Sequence, residues 1–599
     1  MGRLNKTFAE FSPKIITKKI LQIISFLVSS IALLCIVYEV GFLSDVSHIS
    51  IIYSYYYLAL FTLMILNIIR YLSFFPKKQR LEIWIIDFIF FGSVILLMTK
   101  KLFFNDTDNE LLLFLEKRIW IYFLLFYAFY KEFSFLGLGI IFKYLNPALI
   151  FVMSFIFLIM FGTFLLLLPN ATYSGISVMN SLFTSTSAVC VTGLNVVDFQ
   201  TCFTLFGQII VLGLIQAGGL GIMTFTSFFT YLFKGTSTFH SQLAMSDMAN
   251  SETLSELYFV LRRIILVTLI IEATGALLIF INMPDAVSYT IGQKIFFSVF
   301  HSVSAFCNAG FSTLSNNLYD INFRFNYPIH LVISFLIIFG GLGFPIIFNF
   351  IKYMRHLIIN RIFKLNKRKE SIHKAWVINI NTRIVTITTF LLLVTGTLIF
   401  FLLEYNNTLA EHHGVGKIIT SFFSIVTPRT AGFNSINFGI LHVSTILFIM
   451  LLMWIGASPA STGGGIKTTT FAISILNIFS LAKGKDRVEL FRRQVSESSM
   501  RRAYATIFLS FIVLGISIFC VSALDPEKKL MDIAFECFSA YGTVGLSMGI
   551  TPTLSEASKL IIVLTMFVGR IGMLTLLIAF FRKILHLNYH YPIDNILIN

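Results

Sequence analysis

The chain has 599 residues, of which 56% are hydrophobic, 16% aromatic and only 12% charged. Soluble proteins carry about 25% charged residues and have too little interior for this much Phe, Ile and Leu, so the composition excludes a soluble enzyme, a disordered protein and a secreted disulfide scaffold. It indicates a polytopic membrane protein, and we interpret the net charge of +16 as the Lys and Arg excess of cytoplasmic loops rather than as a nucleic-acid surface.

About twelve segments reach the roughly 20-residue length that crosses a bilayer. Four precede residue 145, at about 17–43, 51–75, 82–99 and 117–136. The others lie at about 147–168, 204–232, 258–282, 328–352, 383–404, 439–482, 503–524 and 557–582. The 439–482 stretch is too long for one simple span and is interrupted by Gly, Ser and Pro.

Loop charge predicts the orientation. The connections 352–383 and 483–502 are rich in Lys and Arg, which is typical of cytoplasmic loops. The basic N-terminus, the Lys77–Lys78–Arg80 turn and Arg582–Lys583 fall on the same side when twelve spans are counted. We therefore expect both termini in the cytoplasm and four loops on the outer side, near 170–200, 284–320, 405–435 and 525–552.

The four outer loops repeat one another. Each has a Phe ten residues before a Gly, in the pairs Phe183/Gly193, Phe300/Gly310, Phe422/Gly432 and Phe535/Gly545. Six residues before the Gly stand Ser187, Ser304, Val426 and Ser539, and the glycines are 117, 122 and 113 residues apart. A near-constant period with identities in register indicates an internal repeat, whereas flexible turns with incidental glycines would not agree in this way.

Each repeat predicts a span, a short re-entrant helix, a Gly-centred turn and a second span. Irregular backbone at membrane depth is tolerated where it is buried or lines a water-filled path, and four turns on one axis could replace an ion's hydration shell with carbonyl oxygens, as in potassium channels. The fourth turn, Thr543-Val544-Gly545-Leu546, is similar to the T-V-G-Y of those filters. The candidate filter residues are Val191, Thr192, Gly193, Leu194, Asn308, Ala309, Gly310, Phe311, Thr430, Ala431, Gly432, Phe433, Thr543, Val544, Gly545 and Leu546.

The segment 456–470 predicts a loop inside the membrane, because three consecutive glycines do not hold a helix. These are Gly463, Gly464 and Gly465, and Lys467 follows them. A mobile Gly/Ser/Thr segment with a cation that repels other cations could form a gate beneath the filter. A nucleotide-binding loop is excluded because Ile466, rather than Gly, precedes the lysine.

Several polar residues remain near these segments. Arg570 lies inside an apolar run, where burial costs about 2.5–3.5 kcal/mol, so we expect it to face the pore interior unless it snorkels to an interface. Arg429, three residues before Gly432, is expected near the filter. Glu411-His412-His413 predicts a solvated loop. The glycine-rich stretches 216–221 and 340–345 predict close helix packing or bending. The six cysteines form no metal-binding or disulfide pattern.

Five segments together resemble the Trk/Ktr/HKT superfamily of potassium transporters, in particular its TrkH/KtrB-like membrane subunits. They are Cys190–Leu194, Asn308–Phe311, Thr427–Phe433, Ser458–Thr469 and Gly569–Gly572, within a match of about residues 146–585. The resemblance implies four units around one pore, a gating loop at 456–470 with Arg570 near it, and K⁺ as the transported ion without a bound cofactor. Na⁺-selective members carry Ser in the first repeat, so Gly193 favours K⁺.

The resemblance also implies a homodimer in the bacterial inner membrane and a cytosolic nucleotide-binding (RCK/KTN) regulatory subunit that docks on the basic inner loops. Residues 1–145 depart from the family pattern as an accessory region of about four extra helices. The expected fold is all-α and polytopic: accessory region 1–145, pore repeat 1 at 146–238, repeat 2 at 239–360, repeat 3 at 361–490 with the 456–470 loop, and repeat 4 with the C-terminal tail at 491–599.

The predicted function is potassium uptake across the plasma membrane, driven by the membrane potential of about 2.3 kcal/mol per charge per 100 mV. A Na⁺-conducting or Na⁺-coupled transporter of the same superfamily is the alternative. A membrane-embedded enzyme is disfavoured because no H-E-x-x-H, G-x-S-x-G or paired-carboxylate pattern occurs. A sensor with a vestigial pore, whose front helices bind a ligand, stays open.

Overall fold

The computed structural model describes residues 13–42, 49–73, 81–103, 117–135, 147–221, 257–284, 289–365, 378–485 and 487–581. Within these residues the structure is helical apart from one small antiparallel hairpin, in which Glu489–Leu490 pairs with Arg493–Gln494. The first residues of the predicted basic N-terminus, the Lys77–Lys78–Arg80 turn and Arg582–Lys583 lie outside the described residues, as does the centre of the basic 352–383 connection.

The first four helices form an N-terminal unit. They are α1 (Pro13–Phe42), α2 (Ile49–Ser73), α3 (Leu81–Phe103) and α4 (Arg118–Phe135). Buried apolar side chains of all four meet in one core, among them Ala32, Leu60, Val94 and Leu125. The sequence predicts a helix at each of these places, and the structure has one at each.

Charged side chains inside this unit are paired. Lys131 Nζ lies 2.6 Å from Asp87 Oδ1, and Arg70 forms a two-pronged ion pair with Glu132. Asp87 also accepts a hydrogen bond from Tyr127 (2.8 Å). Because a buried charge without a partner is strongly destabilising, these pairs explain how apolar helices carry four ionisable residues.

The rest of the chain forms four units of similar order. Each has a long helix, a short helix, a turn and a second helix. The first unit contains α5 (Pro147–Leu166), α6 (Val178–Val189), the one-turn α7 (Phe199–Cys202) and α8 (Leu205–Gly219). The second contains α9 (Leu257–Ile281), α10 (Ile291–Phe306), α11 (Tyr327–Leu342) and α12 (Phe344–Leu365). The third contains α13 (Ile380–Glu404), α14 (Val415–Val426), α15 (Val443–Trp454) and α16 (Thr468–Ala482). The fourth contains α17 (Glu497–Leu524), α18 (Leu530–Gly542), α19 (Glu556–Ile571) and α20 (Met573–Phe580).

The short helices α6, α10, α14 and α18 have 12, 16, 12 and 13 residues, too few to cross a bilayer. Two begin at side-chain caps. Ser177 Oγ accepts from the backbone N–H of Asn180 at the start of α6, and Thr290 forms a capping box with Gln293 at the start of α10. Such caps satisfy N–H groups that a helix N-terminus leaves unpaired.

Two predicted spans are bent. The sequence predicts spans at 328–352 and 557–582, and in the structure the chain bends by 102° between α11 and α12 and by 86° between α19 and α20, so that each is either a broken span or a re-entrant loop. Gly343 and Gly572 stand at the bends with φ of 83° and 86°, a conformation that glycine adopts without strain. The interruption predicted within 439–482 is present as the non-helical stretch between α15 and α16.

Among the described residues, six helices are long and apolar enough to cross a membrane, or up to eight if each bent pair is one span. The six segments are Ile20–Phe42, Ile51–Ser73, Ala148–Leu166, Arg262–Ile281, Ile380–Glu404 and Glu497–Leu524. The figure of twelve spans stays a prediction, since 222–256 lies outside the described residues and the third unit's second segment is divided into two short apolar helices.

Consecutive units share hydrophobic cores. One core combines Phe183 of the first unit, Phe306 of the second and Ile562 of the fourth. A second core joins units two and three, and a third joins units three and four. The four units therefore close on one another in chain order, with the short helices and the turns inside.

Candidate functional site

The turns that follow the four short helices have the same backbone conformation. In each, the glycine has a positive φ: 92° at Gly193, 68° at Gly310, 76° at Gly432 and 92° at Gly545. The residue two positions earlier is also left-handed although it is not glycine: Val191 (55°), Asn308 (60°), Thr430 (75°) and Thr543 (49°). Such a φ is rare for non-glycine residues and an outlier for β-branched ones, so its occurrence in all four turns shows that the repeat extends to the backbone.

A hydroxyl group braces each turn. The N–H groups of Gly193 and Gly545 donate to Ser187 Oγ and Ser539 Oγ, both at 3.0 Å. In the second turn the Ser304 hydroxyl donates to the carbonyl of Phe311 (2.8 Å).

The third turn has its hydroxyl one residue later than the aligned serines of the other three turns. Val426 occupies the aligned position, but the Thr427 hydroxyl donates to the carbonyl of Phe433 (2.5 Å). Counting residues back from the glycine missed this brace. A search for any hydroxyl within one position could have found it.

The four turns meet in a closed ring. A Cβ atom built on the glycine of one turn would lie less than 3.0 Å from a carbonyl oxygen of the next turn, closer than real Cβ atoms approach. The pairs are Gly193 with Ala309 O, Gly310 with Ala431 O, Gly432 with Val544 O, and Gly545 with Thr192 O. We call the four oxygens, of Thr192, Ala309, Ala431 and Val544, the carbonyl ring.

All sixteen candidate filter residues therefore lie together. Fifteen are buried and Gly545 is half-buried. Asn308 and Thr430 of neighbouring turns also hydrogen-bond through their side chains (3.1 Å), with the Asn308 amide nitrogen donating to Ala305 O and Ile337 O. Backbone carbonyl oxygens arranged around an axis can replace the hydration shell of a monovalent cation.

The predicted membrane loop lies directly against one of these turns. The N–H of Gly464 donates to the Thr543 hydroxyl (3.0 Å). Backbone groups of Ser458 and Thr462 donate to the carbonyls of Gly341 (3.0 Å) and Gly340 (3.3 Å), at the end of α11. These backbone N–H groups of the loop have no hydrogen-bond partner within a helix of their own. They are paired instead with groups of the second and fourth units.

The two predicted gate cations both reach this loop. Lys467 Nζ donates to the carbonyl of Gly463 (2.6 Å). Arg570 is 5% exposed, and it donates to the carbonyls of Thr462 and, at 2.5 Å, of Gly218 at the end of α8. Arg570 therefore points into the bundle, in disagreement with the snorkelling alternative, and links the loop to the first unit.

Helix glycines allow the second helices to approach the turns closely. A Cβ on any of three such glycines would lie less than 3.0 Å from a carbonyl oxygen at the end of a short helix. The pairs are Gly218 with Val189 O, Gly340 with Phe306 O, and Gly569 with Tyr541 O. The close packing predicted for the stretches 216–221 and 340–345 is present.

One residue of a predicted surface loop is buried instead. The sequence predicts a solvated Glu411-His412-His413 loop, and Glu411 and His413 are exposed, but His412 is 2% exposed. Its Nδ1 lies 3.1 Å from the Tyr327 hydroxyl, and Glu411 pairs with Arg324 (3.2 Å). The prediction was wrong for His412 because a contact with the second unit, about 85 residues away in sequence, covers this side chain.

Comparisons with known proteins agree with this architecture. The family model described as "TrkH: Cation transport protein" matches residues 116–586. The Ktr system potassium uptake protein B of Bacillus subtilis is 37% identical over 75% of this chain and 95% of its own length. The potassium/sodium uptake protein NtpJ of Enterococcus hirae is 34% identical over 76% of this chain and 98% of its own length.

The crystal structure of the potassium transporter TrkH from Vibrio parahaemolyticus has a similar fold. It aligns with a TM-score of 0.57 and 17% identity over 82% of this chain and 96% of that chain. The fold and these matches define the class as a multi-span helical membrane protein for cation transport. Because the family model covers more than half of the chain, the chain belongs to the TrkH cation transport family.

Proposed function

We propose that this protein takes up K⁺ through the axis of the carbonyl ring. The observation that carries the proposal is the closed contact of each turn's glycine with a carbonyl oxygen of the next turn. Two relatives named as potassium uptake proteins, from Bacillus subtilis at 37% identity and from Vibrio alginolyticus at 35% identity, support the same ion.

The filter consists of the four turns, Val191–Leu194, Asn308–Phe311, Thr430–Phe433 and Thr543–Leu546. A K⁺ ion exchanges its hydration water for the carbonyl oxygens. The short helices α6, α10, α14 and α18 end at these turns, and the partial negative charge of a helix C-terminus favours a cation there.

The 456–470 loop is the gate. It contacts the filter at Thr543 and is held to the first unit through Arg570. In the proposed closed state the loop obstructs the path below the fourth turn, and Lys467 adds a repelling charge. Opening requires the loop to release the hydrogen bonds to Thr543 and Arg570.

Uptake is driven by an inside-negative potential across a bacterial inner membrane. We propose twelve spans, four of them from the N-terminal unit, with both termini cytoplasmic. The support is the clustering of Lys and Arg in connections that this topology places inside.

The protein is further proposed to act as a homodimer with a cytosolic nucleotide-binding (RCK/KTN) regulatory subunit. The exposed arginines near the start of α17 are suitable for docking such a subunit: Arg492, Arg493, Arg501 and Arg502. Reversal of these four charges should abolish co-purification of the subunit and leave the cation selectivity of the pore unchanged.

A Na⁺-conducting or Na⁺-coupled transporter is the second candidate. The name of the Enterococcus hirae relative, a potassium/sodium uptake protein, favours it. Cation flux into proteoliposomes under an imposed inside-negative potential distinguishes the two candidates. K⁺ and Rb⁺ entry with little Na⁺ or Li⁺ entry is expected, and equal Na⁺ entry would establish the second candidate.

A further inference from the structure

A small cavity lies beside the third filter turn and is lined by an arginine whose side chain has no hydrogen bond or ion pair with any described residue. The cavity measures about 20 Å³ and is lined by Arg429, Val426, Thr389, Leu393 and neighbouring residues, including Gly341 of α11 and Ala457 of the loop. A space of about 10–15 Å³ is enough for one water molecule, so this cavity has room for one small ion. It is too small for a lipid headgroup.

Arg429 has no counter-charge among the described residues. Its side chain is 8% exposed, its Nε is buried without a hydrogen-bond partner, and the residue lines the cavity. A buried charge without a partner is destabilising by several kcal/mol.

The four buried acids of the described pore units already have other partners. Asp525 accepts from the N–H of Ser555 (3.1 Å). Glu272 accepts from Gln216 (3.1 Å), Glu404 from Thr445 (2.6 Å) and Glu536 from Thr551 (2.9 Å). The other two buried cations of the site, Lys467 and Arg570, donate to carbonyl oxygens. A side chain that neutralises Arg429 is thus missing from the part of the chain that the structure describes.

We propose that the cavity binds one small monovalent anion, with chloride as the physiological candidate, against the Arg429 guanidinium. The Thr389 hydroxyl, which also lines the cavity, supplies a second donor. The anion balances the positive charge of Arg429, which lies three residues before Gly432. Without it, the uncompensated guanidinium would repel a K⁺ ion in the filter. The site stands whether or not K⁺ is the transported ion.

The position of the cavity gives the anion a connecting role. Its walls include Val426 and Arg429, which precede the third filter turn, the end of α11, and Ala457 of the gate loop. Ser458, next to Ala457, hydrogen-bonds to Gly341. An anion in this cavity therefore contacts the filter support and the fixed end of the loop together.

Equilibrium dialysis of the purified full-length protein with radioactive chloride tests the proposal. Potassium concentration and ionic strength are held constant with gluconate. Saturable binding of one chloride per chain is expected, and Arg429→Met should abolish it. Arg324→Met is the matched control, because Arg324 is already paired with Glu411, and it should retain full binding.

A second variant keeps the test decisive if Arg429→Met does not fold. Leu393→Phe fills the cavity while the arginine is kept, and it should also abolish chloride binding. Absence of saturable binding to the unmodified protein overturns the proposal. So does binding that persists unchanged in a folded Arg429→Met or Leu393→Phe protein, because the ion would then sit elsewhere.

Discussion

The filter glycines are constrained by two separate requirements. Gly193 has a φ of 92°, which disfavours any side chain, and the space beside it is filled by the carbonyl oxygen of Ala309. Gly549 has almost the same φ, 90°, but no atom lies within 4 Å of the place where its Cβ would be. Comparing the two positions separates backbone strain from displacement of the carbonyl ring.

Gly193→Ser is expected to reduce K⁺ selectivity, because its Cβ must push the Ala309 carbonyl out of the ring. The ratio of Rb⁺ to Na⁺ flux in proteoliposomes measures the effect, and a fall of about tenfold corresponds to about 1.4 kcal/mol. Gly549→Ser has the same backbone strain and should leave the ratio unchanged. An equal response in both variants would mean that the ring does not select the ion.

Thr427 is expected to brace the third turn despite its shifted position. Thr427→Val removes the hydroxyl that donates to Phe433 O and should lower the free energy of unfolding by about 1–3 kcal/mol. Thr395→Val is the control, since the Thr395 hydroxyl is exposed and bonds only within its own helix. Thermal unfolding of both variants tests this, and equal midpoints would contradict the assigned brace.

At the scale of elements, the broken helices and the loop form one arrangement. The bend at Gly343 lies against the loop, where a Cβ would lie 2.7 Å from Pro459 O. The bend at Gly572 is open, with its nearest atom 3.9 Å away. Both bends depend on a positive φ, so a side chain at either position would have similar backbone strain. The two positions differ in their contacts, because only Gly343 lies against the loop.

Gly343→Ala is therefore expected to displace the loop and change the rate of Rb⁺ flux, whereas Gly572→Ala should not. Each should lower stability by about 1–3 kcal/mol through backbone strain. Flux assays on both variants at equal reconstitution check the difference. The loop would be excluded as the gate if neither variant changed the rate of Rb⁺ flux. The same conclusion would follow if both variants changed it equally.

Removal of the link between the loop and the first unit should favour opening. Arg570→Gln loses its charged hydrogen bonds to Thr462 and Gly218, each of which contributes about 1.5–3 kcal/mol, so faster Rb⁺ entry is expected in the absence of a regulatory subunit. Arg262→Gln, on an exposed position of α9, serves as the control. Unchanged or slower entry with a folded Arg570→Gln protein would contradict the gating role.

At the scale of the whole molecule, the pore units and the N-terminal unit are nearly independent. The carbonyl ring uses residues of 147–581 alone, and the shared cores join the four pore units. The N-terminal unit meets them at the end of α1, where Asn170 Nδ2 donates to the carbonyl of Val40 (2.9 Å) and Gly41 packs against Leu168. Its ion pairs lie within the unit.

Deletion of residues 1–140 is therefore expected to leave the K⁺ to Na⁺ flux ratio unchanged. The ratio measured in proteoliposomes for the truncated and full-length chains tests this. Unchanged transport would also argue against a sensor whose pore is vestigial. A truncated protein that folds but loses its selectivity would show that the N-terminal unit shapes the filter.

Much of the molecule could be predicted from local patterns in the sequence. Apolar segment length gave the helices of the N-terminal unit, and the spacing of Phe and Gly gave the four turns. The glycines at 463–465 gave the interruption between α15 and α16. These features depend on local properties, namely burial in lipid, backbone freedom at glycine and the period of a repeat, so neighbouring residues are enough to reveal them.

Only the tertiary structure decided which groups meet. The order of the carbonyl ring, the partners of Arg570 and the burial of His412 all depend on contacts between segments far apart in the chain. A sequence read along the chain gives each residue's own preferences. It does not give the distances between units. Among the described residues, those distances leave Arg429 without a counter-charge and give the glycine of each of the four turns a neighbouring carbonyl.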